Sequence, residues 1–157
     1  DCTPFQVGLI NLALSFIGAK APEALLKAAD SDVAEVRVAA ISALGDQIQK
    51  GDDLRARNRV FQALEDISAD VRAEAVTLIG KSCDAEDVEN MLSRKLVDQD
   101  TQVRKNTAMA LMKLEAFNTI ESIEAAKSTE KDESVQAVFN VAINILSRDL
   151  EEKQESE

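Results

Sequence analysis

The stretch Val36–Gly45, with the sequence VRVAAISALG, decides the fold because it recurs further along the chain. Val71–Gly80, VRAEAVTLIG, shares with it a Val-Arg start, an Ala four residues on, an aliphatic residue eight on and a Gly nine on. Anchor positions in this phase are spaced 27, 35, 32 and 32 residues apart: Leu9, Val36, Val71, Val103 and Val135. Such a period is typical of repeat proteins built of stacked helical units.

Each anchor is predicted to open a helix. The apolar offsets 0, 4, 7, 8 and 11 fall within one arc at about 100° per residue, which indicates an amphipathic helix with one buried stripe. A shorter apolar stretch precedes each anchor, at residues 22–29, 54–64, 88–96 and 120–126. In the polar turns between the two helices, Ser68, Asp100 and Asp132 stand three residues before an anchor, where they can cap the second helix. In the first repeat, the cap is either Ser31 or Asp32.

The composition excludes most other fold and function classes. The 157 residues include five Gly, two Pro and no His, Trp or Tyr, although 45% are hydrophobic. Turn residues and aromatics are therefore too few for a β-sandwich or barrel. Without His, the chain lacks the commonest general base and the usual zinc and iron ligand. We therefore expect no catalytic site, no metal site and no cofactor.

The charge argues against nucleic acid as a partner. The chain has 18 Lys and Arg against 29 Asp and Glu, a net charge of −11. Its one basic cluster, Arg55, Arg57 and Arg59, follows Asp52 and Asp53, so we interpret it as a solvated outer face. DNA binding, which would need such cations to neutralise phosphates, is a disfavoured alternative.

Helix pairs with this period, in which an Asp is followed five residues later by Val-Arg, resemble HEAT repeats. The resemblance is greatest to the short HEAT-like repeats of phycobilisome lyase-related proteins. The full matches are Asp66 with Val71-Arg72 and Asp98 with Val103-Arg104. Ser31 replaces the Asp that would precede Val36-Arg37, and the last repeat has Glu130 and Gln136 in place of both polar residues.

The resemblance implies an all-α fold, an α-α superhelix or right-handed solenoid of about four HEAT-like hairpins plus an N-terminal helix. We predict a single repeat domain at residues 1–148, with helix 4–18 and repeats at about 21–48, 52–82, 84–115 and 118–148. Residues 149–157 form an acidic tail, expected as a frayed helix or a disordered end. Because Gly18, Gly45 and Gly80 share one phase, we predict that the second helices end there.

The resemblance also implies a structural ladder of hydrogen-bonded charges through the inner turns. Its members would be Arg37, Asp66, Arg72, Asp98 and Arg104. The guanidinium group suits partly buried bidentate pairs with carboxylates. The alternative is that the row of Arg side chains meets an acidic partner.

The concave face of the second helices is the predicted partner-binding site. It is mostly small or apolar, where a solvated face would carry Lys and Glu, and exposed apolar surface usually marks a binding site. The candidate residues are Val38, Ile41, Val76, Thr77, Lys105, Met109, Met112 and Val141. In the alternative interpretation, tight curvature buries part of this stripe inside the protein.

These features predict a non-catalytic scaffold or adaptor that binds a peptide or helix of a protein partner. The alternative is a subunit of a chromophore-lyase-like enzyme, to which these short repeats are similar. Cys2 and Cys83 are too few for a disulfide framework, which favours free thiols in a reducing compartment and a cytoplasmic location.

No stretch reaches the roughly 18 apolar residues of a membrane span. The chain starts at Asp1 rather than Met, which indicates a piece of a longer protein. Helix 4–18 is apolar nearly all round, so further repeats or end-to-end self-association are expected to cover it.

Overall fold

The computed structural model describes residue 13, residues 22–51 and residues 53–155. All regular secondary structure in these residues is helical. The helices are α1 (Pro22–Ala28), α2 (Ala34–Gly51), α3 (Leu54–Gln62), α4 (Ala69–Ser82), α5 (Ala85–Ser93), α6 (Thr101–Lys113), α7 (Ile120–Thr129) and α8 (Glu133–Glu155). Short 3-10 segments span Ala63–Glu65, Arg94–Val97 and Phe117–Thr119. The predicted all-α fold class is confirmed, whereas the predicted helix 4–18 lies almost entirely outside the described residues.

The chain divides into two compact units, Asp1–Leu78 and Ile79–Glu157. In the first unit, α2 packs against α1 and α3. In the second unit, α6 packs against α5 and α8, and α7 also packs against α8. The short-helix, long-helix alternation agrees with the sequence pattern, and the proposed repeat boundaries and single domain at 1–148 stay predictions.

The core contains the anchors Val71, Val103 and Val135, whereas the anchor Val36 is half-buried. In the first unit, the fully buried side chains include Leu25, Ile41, Leu44, Val60, Leu64, Val71 and Val76. In the second, they include Val88, Leu92, Leu96, Val103, Leu111, Ile123, Val135, Phe139 and Leu146. Burial of a helix's apolar stripe is what the 3.6-residue periodicity predicts.

The two described glycines that lie nine residues after an anchor do not end helices, so that prediction is wrong. Gly45 lies inside α2 and Gly80 inside α4. A Cβ on Gly80 would lie 2.6 Å from the Cβ and 3.0 Å from the Cα of Ala110. A Cβ on Gly45 would lie 2.5 Å from a terminal methyl of Leu78. Both glycines therefore lie at a close approach, to the backbone of Ala110 at Gly80 and to the Leu78 side chain at Gly45, and Gly18 lies outside the described residues.

Two of the predicted helix caps are confirmed. The Asp100 carboxylate accepts hydrogen bonds from the N–H groups of Gln102 and Val103 at the start of α6. The Asp132 carboxylate does the same for Ser134 and Val135 at the start of α8. These contacts satisfy N–H groups that have no partner within the helix.

In the first repeat, the Ser31 hydroxyl accepts a hydrogen bond from the Val33 N–H, so Ser31 fills the polar position left open between Ser31 and Asp32. Ser68 uses its backbone N–H, which donates to the Asp66 carboxylate. At the other end of the chain, α8 continues to Glu155, so the acidic segment after residue 148 is helical through that residue.

Candidate functional site

The inner turns repeat one hydrogen bond in all four described hairpins. A side-chain nitrogen at the position after the anchor donates to the backbone carbonyl oxygen six residues earlier. The pairs are Arg37 to Ser31 at 2.8 Å, Arg72 to Asp66 at 2.9 Å, Arg104 to Asp98 at 2.8 Å and Gln136 to Glu130 at 2.6 Å. The substitution of Gln for Arg in the last repeat thus keeps this bond, because either residue can supply the N–H donor.

Arg37 and Asp66 form a buried bidentate ion pair in the first unit. Arg37 Nε and Nη2 donate to the two carboxylate oxygens of Asp66 at 2.8 and 2.7 Å. Their side chains are only 8% and 10% exposed. Burial alone would raise the pKa of Asp66, but hydrogen bonds from Arg37 and the Ser68 N–H, together with the Arg37 charge, hold that pKa below its usual range.

Arg104 and Glu130 form the equivalent pair in the second unit. Arg104 Nε and Nη2 donate to the Glu130 carboxylate oxygens at 2.5 and 3.0 Å, and the two side chains are 12% and 7% exposed. The bond from Arg104 lowers the pKa of Glu130, burial opposes it, and the N–H groups of Asp132 and Lys131 lower it further. The Arg guanidinium groups are thus turned into the protein.

Glu130 was not predicted as an ion-pair member, because Glu at this position departs from the Asp of the motif. Its position held the signal: Asp66, Asp98 and Glu130 are each 32 residues apart. The longer Glu side chain still reaches the Arg of the preceding repeat. Of the predicted ladder members, Asp66 is bound by Arg37, and Arg104 is bound to Glu130.

The predicted partner-binding residues of the first unit are mostly hidden. Ile41 and Val76 are both 0% exposed, so the expectation that they line an open groove is corrected. Val38 and Thr77 are half-buried, and the Thr77 hydroxyl donates to the Ala73 carbonyl within α4. The physical reason is that offset 5 of the repeat faces the core, as the alternative interpretation expected for part of the stripe.

The predicted residues of the second unit are more accessible and come together. Met109 on α6 is 44% exposed and Val141 on α8 is 52% exposed, while Lys105 and Met112 are half-buried. A groove of about 260 Å³, here called the α6–α8 groove, is lined by Met109, Met112, Ala137, Val138, Val141 and Ala142. Every lining residue is apolar, so this groove offers binding surface without polar anchors of its own.

Sequence analysis missed a second and larger concavity, here called the acidic cleft. It has a volume of about 720 Å³ and is lined by Asp84, Ala85, Glu86, Glu89, Leu114, Glu115, Phe117, Asn118, Leu150, Lys153 and Gln154. The Lys153 ammonium lies 5.3 Å from the centre of the Phe117 ring. The repeat pattern gave no signal for this cleft, because part of it comes from the segment assigned to a tail.

A strained residue lies at the rim of the acidic cleft. Glu115 has a φ of +52°, in the left-handed region that glycine ordinarily occupies. Its N–H donates to the Met112 carbonyl, and the Ala116 N–H donates to the Leu111 carbonyl. Together these bonds form a Schellman motif that ends α6, with Glu in place of the usual Gly.

The basic cluster is engaged in contacts within the first unit. Arg55 pairs with Glu23 at 3.0 Å, and Arg59 pairs with Asp30 at 3.2 Å. Arg57 lies over the Phe61 ring. Among the described residues, no group of three or more Asp, Glu, Cys or His side chains could hold a metal ion, and no described helix is long and apolar enough to cross a membrane.

Comparison with known proteins identifies the repeat. The model of the HEAT-repeat family matches residues 22–111 and 57–144. The chain belongs to the HEAT-repeat family. An engineered protein solved by crystallography has the same fold with a TM-score of 0.55 and 21% identity, covering 88% of this chain and 67% of that one. The predicted family and α-α superhelix fold class are confirmed.

A curated HEAT-like relative is the Bilin biosynthesis protein MpeU of Synechococcus sp. (strain WH8020). It is 44% identical over 148 residues, which cover 94% of this chain and 50% of the relative. This HEAT-repeat chain therefore spans about half the length of that protein. The finding overturns two predictions, namely that the chain is a non-catalytic scaffold or adaptor and that it is not an enzyme, and it favours the chromophore-lyase-like alternative.

Proposed function

We propose that this HEAT-repeat chain acts in bilin biosynthesis as part of a chromophore-lyase-like enzyme. The observation that carries the proposal is the 44% identity to a bilin biosynthesis protein over 94% of the chain. The resemblance of the repeats to those of phycobilisome lyase-related proteins supports the same assignment. Because the match covers 94% of the chain, it extends into both units.

In this function, the chain has to hold a chromophore and meet a protein that receives it. The acceptor we propose is a phycobiliprotein subunit, which gives the predicted protein partner a chemical identity. The sequence contains no His, so proton transfers by this chain would fall to carboxylate, Lys or Cys side chains.

We assign the Arg ladder a structural role in that enzyme. Arg37 and Arg104 are each bound to a buried carboxylate and to a backbone carbonyl oxygen, so their donors are directed at the inner turns. Fixing the turns fixes the spacing of successive second helices, which carry the candidate binding surface. Arg72 donates to the Asp66 carbonyl oxygen, and the Asp98 carbonyl oxygen accepts from Arg104, so we assign both residues the same structural role.

Chromophore transfer tests the proposal directly. The chain is incubated with a bilin and a purified apo-phycobiliprotein subunit, and the acceptor is separated under denaturing conditions. We expect bilin absorbance to comigrate with the acceptor, or the bilin absorption spectrum to shift, faster with the native chain than without it.

Heat-denatured chain at the same concentration is the matched control, because spontaneous attachment is independent of the folded repeats. Equal rates with native chain, denatured chain and no chain, with no change in the bilin spectrum, would contradict the proposed function.

A further inference from the structure

The α6–α8 groove is built from a helix position that is used differently elsewhere in the chain. The residue six positions after the anchor is Ser42 on α2 and Thr77 on α4, but Met109 on α6 and Val141 on α8. The first two are half-buried small hydroxyl residues, whereas Met109 and Val141 are large, apolar and about half exposed. Exposing large apolar side chains at this position has no benefit for folding, which indicates a ligand.

Two described helices carry three basic residues and no Asp or Glu: α3, whose Arg side chains contact Glu23, Asp30 and Phe61, and α6. The α6 sequence, TQVRKNTAMALMK, has this composition in a chain with a net charge of −11. Arg104 is bound to Glu130. Lys105 and Lys113 remain, four residues before and four residues after Met109, so all three lie on one face of the helix. An apolar groove with a cation at each end is suited to an apolar ligand that carries carboxylates.

We propose that the α6–α8 groove, flanked by Lys105 and Lys113, binds an open-chain tetrapyrrole. Its conjugated rings would lie on Met109, Met112 and Val141, and its propionate carboxylates would pair with the two lysines. This inference rests on the proposed function and adds the place and the chemistry of chromophore binding.

The chemistry of the groove fits such a ligand. Thioether sulfur is polarizable and makes favourable contacts with conjugated rings, and an unbranched Met side chain adapts to the ligand it meets. Lys105 and Lys113 are separated by eight residues, about 12 Å along the helix axis. The 260 Å³ volume lies below the roughly 300–1,000 Å³ of pockets that enclose a whole drug-sized ligand, so the groove covers part of the tetrapyrrole.

Two carboxylates near Lys105 make it a weaker anchor for the ligand than Lys113. The charge of Lys105 acts on Asp132, whose carboxylate also accepts hydrogen bonds from Ser134 and Val135. Glu133, in the first turn of α8, lies at the same end of the groove by helix register. Lys113 lies in the last turn of α6, away from this pair, and is therefore the stronger anchor.

The acidic cleft is the less suitable of the two concavities, although it is larger. Its lining includes four carboxylates and one ammonium group: Asp84, Glu86, Glu89, Glu115 and Lys153. A dicarboxylate ligand would be repelled there, since like charges at close range oppose binding. Charge therefore favours the α6–α8 groove over the acidic cleft.

Titration of the folded chain with biliverdin tests the inference, with biliverdin dimethyl ester as a second probe that lacks the two carboxylates. We expect saturable binding of biliverdin, read from its absorbance. The Lys105→Ala/Lys113→Ala variant should raise the Kd for biliverdin at least about tenfold, because each lost charge-assisted hydrogen bond is worth roughly that factor, and leave the Kd for the ester unchanged. Met109→Glu should weaken binding of both probes.

Matched variants outside the groove keep the result specific. Lys81→Ala removes an exposed lysine on α4, and Ile67→Glu places a carboxylate on a side chain that is 91% exposed. Both should bind like the wild type, and circular dichroism should show every variant folded. Unchanged binding by folded Met109→Glu, or no biliverdin binding by the wild type, would overturn the groove assignment. The transfer assay would then decide the proposed function separately.

Discussion

The second helices of the two units share one repeat pattern but differ in the residues that they expose. At offset 5, Ile41 and Val76 are buried in the first unit, whereas the second unit has a buried Ala108 and an exposed Asn140. At offset 6, the first unit carries Ser42 and Thr77 and the second carries Met109 and Val141. Offset 5 therefore faces the core in three of the four described repeats, while the residue type at offset 6 decides whether a surface can bind an apolar ligand.

The comparison also shows why an apolar stripe was a poor guide to the binding surface. A helix seen alone does not reveal which of its apolar residues a neighbouring helix will cover. Comparing one offset across the described repeats is more informative: offset 6 is half-buried at Ser42 and Thr77 and exposed at Met109 and Val141.

A charge at the buried offset-5 residue Val76 should unfold the chain, whereas a charge at the exposed offset-6 residue Met109 should not. Val76→Glu buries an uncompensated carboxylate, and we expect a loss of at least about 4 kcal/mol in the free energy of unfolding. Met109→Glu, at a 44% exposed position, should change it by no more than about 0.5 kcal/mol. Urea denaturation measures both. Equal losses in the two variants would contradict the assignment of offset 6 to the surface.

Breaking either ion pair from one side should be costly in both units. Arg37→Ala leaves the Asp66 carboxylate buried and unpaired, and Arg104→Ala does the same to Glu130. We expect each to lower the free energy of unfolding by about 3 kcal/mol. Double-mutant cycles with Asp66→Ala and Glu130→Ala should show coupling within each pair. A cycle that joins Arg104 to Asp66 is the control, and strong coupling there would mean that the pairing is wrong.

The two glycines should differ in their tolerance of a methyl group. Gly80→Ala brings the new Cβ against the backbone of Ala110 and should destabilise the chain by about 1–3 kcal/mol. Gly45→Ala meets only the Leu78 side chain, with both methyls and Cγ 2.5–3.3 Å from the new Cβ; this side chain can rotate, and the higher helix propensity of Ala offsets about 1 kcal/mol. We therefore expect a near-neutral change in melting temperature at Gly45. A larger loss at Gly45 than at Gly80 would refute the close-packing explanation.

Acid should destabilise both units by protonating the ion-pair carboxylates, Asp66 in the first unit and Glu130 in the second. The pKa values of Asp66 and Glu130 are lowered in the folded state, so their contribution is present above their unfolded pKa values of about 3.9 and 4.3 and is lost as the pH falls through the folded ones. Urea midpoints measured from pH 6 to pH 2 should fall below about pH 4. The Arg37→Ala/Arg104→Ala variant should show a smaller fall. An identical pH profile would remove the two pairs from the explanation.

The fold could be predicted from sequence because the determinants are local and repeated. Val71-Arg72 and Val103-Arg104 mark the start of the buried stripe, and Asp100 and Asp132 mark helix starts. The ion pairs were harder, since Glu130 replaces the Asp of the motif. The acidic cleft could not be predicted, because Phe117 and Lys153 meet only once the last helix packs.

The function was misjudged because lack of His was taken to exclude catalysis. Composition limits the chemistry that side chains of this chain perform, but says little about a chromophore that the chain holds. The proposed chromophore site rests instead on the exposed apolar residues Met109 and Val141. It also rests on Lys105 and Lys113 of α6, a helix without Asp or Glu.

The most direct test measures bilin attached to the acceptor subunit by wild-type chain, Met109→Glu and Ile67→Glu in parallel. The account predicts chain-dependent attachment with the wild type and with Ile67→Glu, and a rate close to that of denatured chain with Met109→Glu. Chain-dependent attachment that is equally fast with folded Met109→Glu would contradict the α6–α8 groove as the chromophore site. Attachment that none of the three proteins accelerates would contradict a role in bilin biosynthesis.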